Sequence, residues 1–93
     1  LQARDFTSTI VRGVVHHSDD IDEKITKASS KWRIERMARV DRNILRAGAF
    51  ELLHLGQDVP RNVVINEAVE IAKTFGTRES GAFINGVLDK IQA

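Results

Sequence analysis

Apolar residues recur along this chain at spacings of three and four, the period of helices that bury one face. From Asp5 to about His17 they are Phe6, Ile10, Val11, Val14 and Val15, most of them on one side. Gly13 interrupts that stretch at a cost of about 1 kcal/mol in helix propensity. Ser18-Asp19-Asp20 offers short polar side chains that cap free N–H groups, so a break or a new start falls there. Ile21 and Ile25 then resume the period, which fits either one kinked helix or two. Lys27 to Lys31 reads as a connection. The segment after it is short, charged and helical, with Trp32 as its one large anchor beside Ile34 and Met37.

Val40-Asp41 reads as the next start. With Asp41 as N-cap, Val40 and Leu45 take the spacing of a hydrophobic staple. The helix runs to about Leu55, with Ile44, Leu45, Gly48, Leu52 and Leu55 on one side and Ala47, Ala49 and Phe50 on the other. So little polar surface marks a central helix, and its small residues let neighbours approach closely. Gly56 to Pro60 is the clearest loop; Gly56 suits a left-handed helix end and Pro60 cannot continue a helix. From about Asn62, the residues Ile65, Ala68, Val69, Ala72 and Phe75 share an inward face, opposite Asn66, Glu70 and Lys73, and Gly76 ends the helix. Thr77-Arg78-Glu79-Ser80 brings capping hydroxyls and an acidic first turn. In the last helix Ile84, Val87, Leu88 and Ile91 point inward, Phe83 lies at the edge of that stripe, and Asn85 and Asp89 point away. The expected fold is all-α: a compact bundle of about five helices in one domain over 1–93.

Composition narrows the function. The 93 residues are 42% hydrophobic and 29% charged, with one Pro and no Cys. Disulfides, cysteine zinc sites and thiol nucleophiles are thereby excluded. No apolar run approaches the ~20 residues of a membrane helix, and no signal-peptide pattern opens the chain, so a cytoplasmic home is expected. With 14 basic and 13 acidic residues the net charge is +1. Bulk charge therefore does not hold nucleic acid here, and any such role needs a local site or a partner.

Catalytic chemistry finds no foothold. There is no nucleophile elbow and no glycine-rich phosphate loop. His16 and His17 are adjacent, so their rings diverge by about 100° on a helix, and His54 stands alone; no metal or cofactor is expected. Glu70 and Lys73 read as an ordinary helix pair. The chain is expected to work by binding, not as an enzyme. Arg39, Arg42 and Arg46 form a basic stripe, which fits either a phosphate or acidic partner or a solvated, salt-bridged face. Phe83 fits either a ring stacked on an unpaired base or a core edge. Gly86, on the outward side of the same helix, points to close approach by another backbone.

The run from Val59-Pro60-Arg61-Asn62 through Asn66-Glu67-Ala68 and Ala72-Lys73-Thr74-Phe75-Gly76, then Ser80 and Phe83-Ile84-Asn85-Gly86-Val87-Leu88-Asp89, resembles the NusB family of transcription antitermination factors. Trp32, Arg36, Val40-Asp41-Arg42, Ile44-Leu45-Arg46 and Phe50-Glu51-Leu52 fit it in order and spacing, over about residues 5 to 93. The resemblance implies two small helical subdomains. It also implies binding to the boxA element of ribosomal RNA leaders together with NusE, a small-subunit ribosomal protein, within the transcribing RNA polymerase complex. By the same resemblance Glu79 and Phe83 face the RNA with Arg78 and Ser80 as neighbours, and Asp41, with Arg42, faces NusE. Arg46, Glu51, Asn66, Lys73 and Asn85 match the pattern in structural roles. The family opens with an arginine-rich helix that has no counterpart here, so the chain is expected to be a piece lacking that segment. Two further readings stay open: the NusB-like RNA-binding domain of a ribosomal RNA cytosine methyltransferase, and a plain helical interaction module, including a homodimer.

Overall fold

The computed structural model describes the backbone of residues 3–29, 32–56 and 58–91, and the side chains from Ser8 onward within these spans. It contains helices α1 (Ala3–His16), α2 (Ser18–Ala28), α3 (Arg39–His54), α4 (Arg61–Phe75) and α5 (Ser80–Lys90), plus a 3-10 turn at Ile34–Arg36. The fold is all-α, as expected. The inward placement of Phe6 lies outside the described side chains.

The break near residue 18 resolves as two helices. His17 leaves helical geometry at φ −108°, ψ 22°, yet its N–H reaches the Gly13 carbonyl and its carbonyl accepts from Ile21, both at 2.9 Å. The chain thus bends without losing its hydrogen bonds. Gly13 owes its place to Phe50: a Cβ there would lie 2.7 Å from Phe50 Cε2 and closer still to the rest of the ring edge. Its helix-propensity cost is the condition for packing α3 against α1.

The α3 helix is central, touching α1, α2, α4 and α5. Leu45 and Ala49 are fully buried and Phe50 and Leu52 nearly so. Leu45, Ile21, Ile25, Ile84, Leu88 and Ile91 form the deepest layer of one continuous core. Gly48 does let a neighbour in, because a Cβ there would meet Leu88 Cδ1 at 2.9 Å. Arg46 clamps α2 to α3 through two 2.9 Å hydrogen bonds, Nε to Asp22 Oδ1 and NH2 to Oδ2. The arginine stripe is therefore divided: Arg46 is structural, Arg42 half-buried and Arg39 exposed.

Several local expectations need correction. The α3 helix begins at Arg39 with Ala38 as N-cap, where the Ala38 carbonyl accepts from the Arg42 N–H at 2.9 Å. Asp41 is thus an acid inside the first turn, where the helix dipole favours it, and the Val40–Leu45 staple does not form. Trp32 is not the anchor of its segment. It is 57% exposed, while Ile34 and Met37 are buried. Phe75 sits on the buried period of α4 but is 70% exposed, because the helix has outrun its neighbours by its last turn. Val11 and Val15 are likewise exposed where Ile10 and Val14 pack. Gly56 is not left-handed, since no described glycine has positive φ; α3 closes instead through the Leu55 N–H on the Glu51 carbonyl.

Gly86 faces open space, with nothing within 4 Å of a Cβ built there. Gly86→Ala should therefore stabilise the protein by about 0.5–1 kcal/mol, the helix-interior penalty of glycine. The urea midpoint should rise with unchanged slope; a fall would show that something does pack on that face.

Candidate functional site

The turn Gly76–Glu79 sets the start of α5. Gly76 closes α4 in an extended conformation. A Cβ on it would stand 2.6 Å from Ser80 Cβ and 2.7 Å from the Ala72 carbonyl oxygen, so the turn is tight enough to require glycine. Ser80 is 1% exposed. Its Oγ accepts from the Thr77 N–H at 2.9 Å and lies 3.2 Å from the Thr77 hydroxyl. The capping hydroxyl thus acts backward on the turn, and Ser80 offers almost no surface to a ligand. Glu79 is itself the N-cap, with no acid following in the first turn, and no side chain caps the helix. Its carbonyl accepts from the Phe83 N–H at 3.1 Å.

One turn later Phe83 emerges half-buried, and Trp32 meets it edge to face, ring centroids 6.4 Å apart at 79°. The backbone of Trp32 is fixed to the end of α2. Its N–H donates to the Ser29 carbonyl at 2.7 Å, and its own carbonyl lies 3.2 Å from Ser29 Oγ. A cleft of about 200 Å³ opens beside the two rings, with Arg36, Asp41, Thr77, Glu79 and Ser80 among its walls. On the other side of the pair a second hollow of about 270 Å³ runs past Gly86 to Lys90.

The cleft gathers four of the six expected site residues: Asp41, Glu79, Ser80 and Phe83. Arg78 is exposed outside it, and Arg42 turns into the protein, where its Nε is buried without a hydrogen-bond partner. The resemblance gives Asp41 to NusE and Glu79 and Phe83 to RNA, and all three line this one cleft. Sequence reasoning passed over Trp32 and Arg36 as site residues, although both stood in the family pattern. Arg61 was missed as well; its NH2 caps the end of α5 through the Leu88 and Asp89 carbonyls at 3.1 and 2.8 Å.

His54 is not isolated. It stacks on His17 with centroids 4.1 Å apart at 17°, while His16 meets His17 edge-on at 4.8 Å and Asp20 Oδ2 lies 3.7 Å from His54 Nε2. Among the described residues no group of three or more His, Asp or Glu is arranged to hold a metal. Burial, then the neighbouring His54 and His16, push the His17 pKa below the ordinary 6.5, against a smaller pull from Asp20. A histidine depressed in the folded state takes up its proton more readily when unfolded, so its contribution is whole above 6.5 and lost as pH falls through it. The thermal midpoint should drop between about pH 7.5 and about pH 5.5, and His17→Phe should flatten that drop. Parallel curves for the two proteins would remove the cluster as its cause.

No described helix is long and apolar enough to cross a membrane. The model of the NusB family matches residues 1–93. The chain is 54% identical over 90 residues to transcription antitermination protein NusB of Sorangium cellulosum, covering 97% of this chain and 64% of that protein. It is 57% identical over 88 residues to the protein of the same name from Geobacter sulfurreducens, covering 95% and 63%. A solved structure of T. maritima NusB superposes with a TM-score of 0.90 at 42% identity, over 97% of this chain and 63% of that one. The chain thus spans somewhat under two thirds of the relatives it matches.

Proposed function

This chain belongs to the NusB family, and from that premise we propose that it serves transcription antitermination by binding RNA through the surface around Phe83. The carrying observation is the aromatic pair. Trp32 is largely exposed and Phe83 half-exposed beside a cleft edged with charge, and unpaired bases stack on such rings. The net charge of +1 fits a site of this kind better than a broad phosphate-binding face. The RNA is of the boxA type found in ribosomal RNA leaders. Glu79 and Phe83 touch it, with Arg78 alongside and the buried Ser80 holding the turn beneath them.

The protein partner is NusE, approached from the first turn of α3, where Arg42 and Asp41 stand. Both act in the cytoplasm on the transcribing polymerase. Gel shifts of boxA RNA and a scrambled RNA of equal length, with and without NusE, test this at fixed salt. Preferential retention of boxA RNA, strengthened by NusE, is expected. Equal affinity for the two RNAs would sink the proposal.

A further inference from the structure

We infer that the junction between α1 and α2 is a proton-operated latch, in which charging the stacked imidazoles of His17 and His54 releases α1 from α3 while α2 to α5 stay folded. None of the residues proposed to meet RNA or NusE takes part.

The latch begins with a stack. His17 and His54 lie face to face, ring centroids 4.1 Å apart at 17°. Phe50 extends the cluster, 6.1 Å from His17 and 5.3 Å from His54. Two neutral imidazoles pack there as flat aromatic rings. Two imidazolium ions would hold like charges at the same separation, and each disfavours the charge on the other. When both are charged, one ring must move.

The surrounding groups decide which one. His54 faces Asp20, whose Oδ2 lies 3.7 Å from its Nε2. It also shares the wall of an open hollow of about 520 Å³ with Asp58 and Arg61. A charge on His54 thus meets a carboxylate and water. His17 has a poorer setting, with His16 edge-on at 4.8 Å and the faces of His54 and Phe50 beside it. Burial and then the two histidines hold its pKa below the ordinary 6.5, and the pull of Asp20 is weaker than the push of either. His17 is therefore the ring that leaves.

The backbone at this point is already a hinge, since His17 departs from helical geometry at φ −108°, ψ 22°. On one side of it Arg46 fastens α2 to α3 through two 2.9 Å hydrogen bonds to Asp22. On the other side, among the described residues, no ion pair fastens α1 to another helix. The α1 helix rests instead on Ile10 and Val14, both partly buried, and on Gly13 against the Phe50 ring. Val11 and Val15 face outward. Displacing His17 therefore loosens α1 and leaves α2 clamped. Histidine is the side chain whose charge changes near neutral pH, and such protonation drives an element from one packing to another. The latch is closed while His17 is neutral, above 6.5, and opens as pH falls through its lowered pKa.

Amide hydrogen exchange on the chain tests this, read by mass spectrometry at about pH 7.5 and about pH 5.5 and corrected for intrinsic exchange rates. Below the His17 pKa the protection of α1 should fall about tenfold per pH unit, the slope of one linked proton, while α5 keeps its protection. His17→Phe should keep α1 protected at the lower pH, because a neutral ring refills the stack. His17→Gln, uncharged but unable to stack, should give α1 a weaker protection that no longer depends on pH. Loss of protection in α1 and α5 together, an α1 unprotected already at the higher pH, or the same pH response in the parent chain and both variants would each overturn the latch.

Discussion

Leu88→Ala should lower the unfolding free energy by about 2–5 kcal/mol, towards the upper end of the range for a buried leucine. Leu88 is fully buried on the helix that packs against α2, α3 and α4. Its methyl groups fill the space that Gly48 leaves on α3, where a Cβ would stand 2.9 Å from Leu88 Cδ1. Once the leucine is truncated, the glycine has no side chain to move into the gap, so the cavity persists and its full cost is felt. A domain of this size has about 5–15 kcal/mol to lose in all. Urea unfolding followed by circular dichroism should show a much lower midpoint with unchanged slope. Gly48→Ala made in the Leu88→Ala background should restore part of the loss, since the new methyl enters the vacated space. Simple additivity of the two changes would argue that the residues do not share one packing site. RNA binding should weaken in step, because α5 carries Phe83 and is capped by Glu79.

The same geometry explains which features the sequence made legible. The inward faces of α4 and α5 were readable because Ile65, Ala68 and Ala72, then Ile84, Val87, Leu88 and Ile91, recur at the helical period among polar neighbours and are all buried. Periodicity reports a face but not where the opposing surface stops. Phe75 therefore kept the period of α4 and still ended 70% exposed. Asp41 misled for a different reason. An acid is favoured both as a cap and within the first turn, so its presence marks a helix start only to within a turn. The 3-10 turn buried Ile34 and Met37 and released Trp32, which hydrophobicity alone would have sent inward. Contacts between distant segments left no trace in local pattern: the His17–His54 stack, the Arg46–Asp22 clamp, and the meeting of Trp32 and Asp41 with Glu79 and Phe83. Within the candidate site Glu79 and Phe83 were legible through the family resemblance, but the far wall of the cleft was not.

Phe83→Ala should weaken RNA binding by about 1–3 kcal/mol, the worth of one base stacked on an aromatic ring, while leaving helicity intact. The ring packs only partly against the core, whose adjoining positions Ile84 and Val87 hold α5 in place. Its removal also takes the edge-to-face brace from Trp32, so the indole should become more mobile and its fluorescence anisotropy should fall. Affinity must be compared at one salt concentration, since phosphate contacts shift with ionic strength and ring stacking shifts far less. Phe75→Ala is the matched control. That ring is more exposed but stands apart from the charged cleft, and its loss should leave RNA affinity unchanged. If Phe83→Ala instead collapses the circular dichroism signal, the ring belongs to the core and the RNA face must lie elsewhere. If both alanine variants weaken RNA equally, exposed aromatic surface in general is responsible, and the placement of Phe83 one turn beyond Glu79 has no special part in recognition.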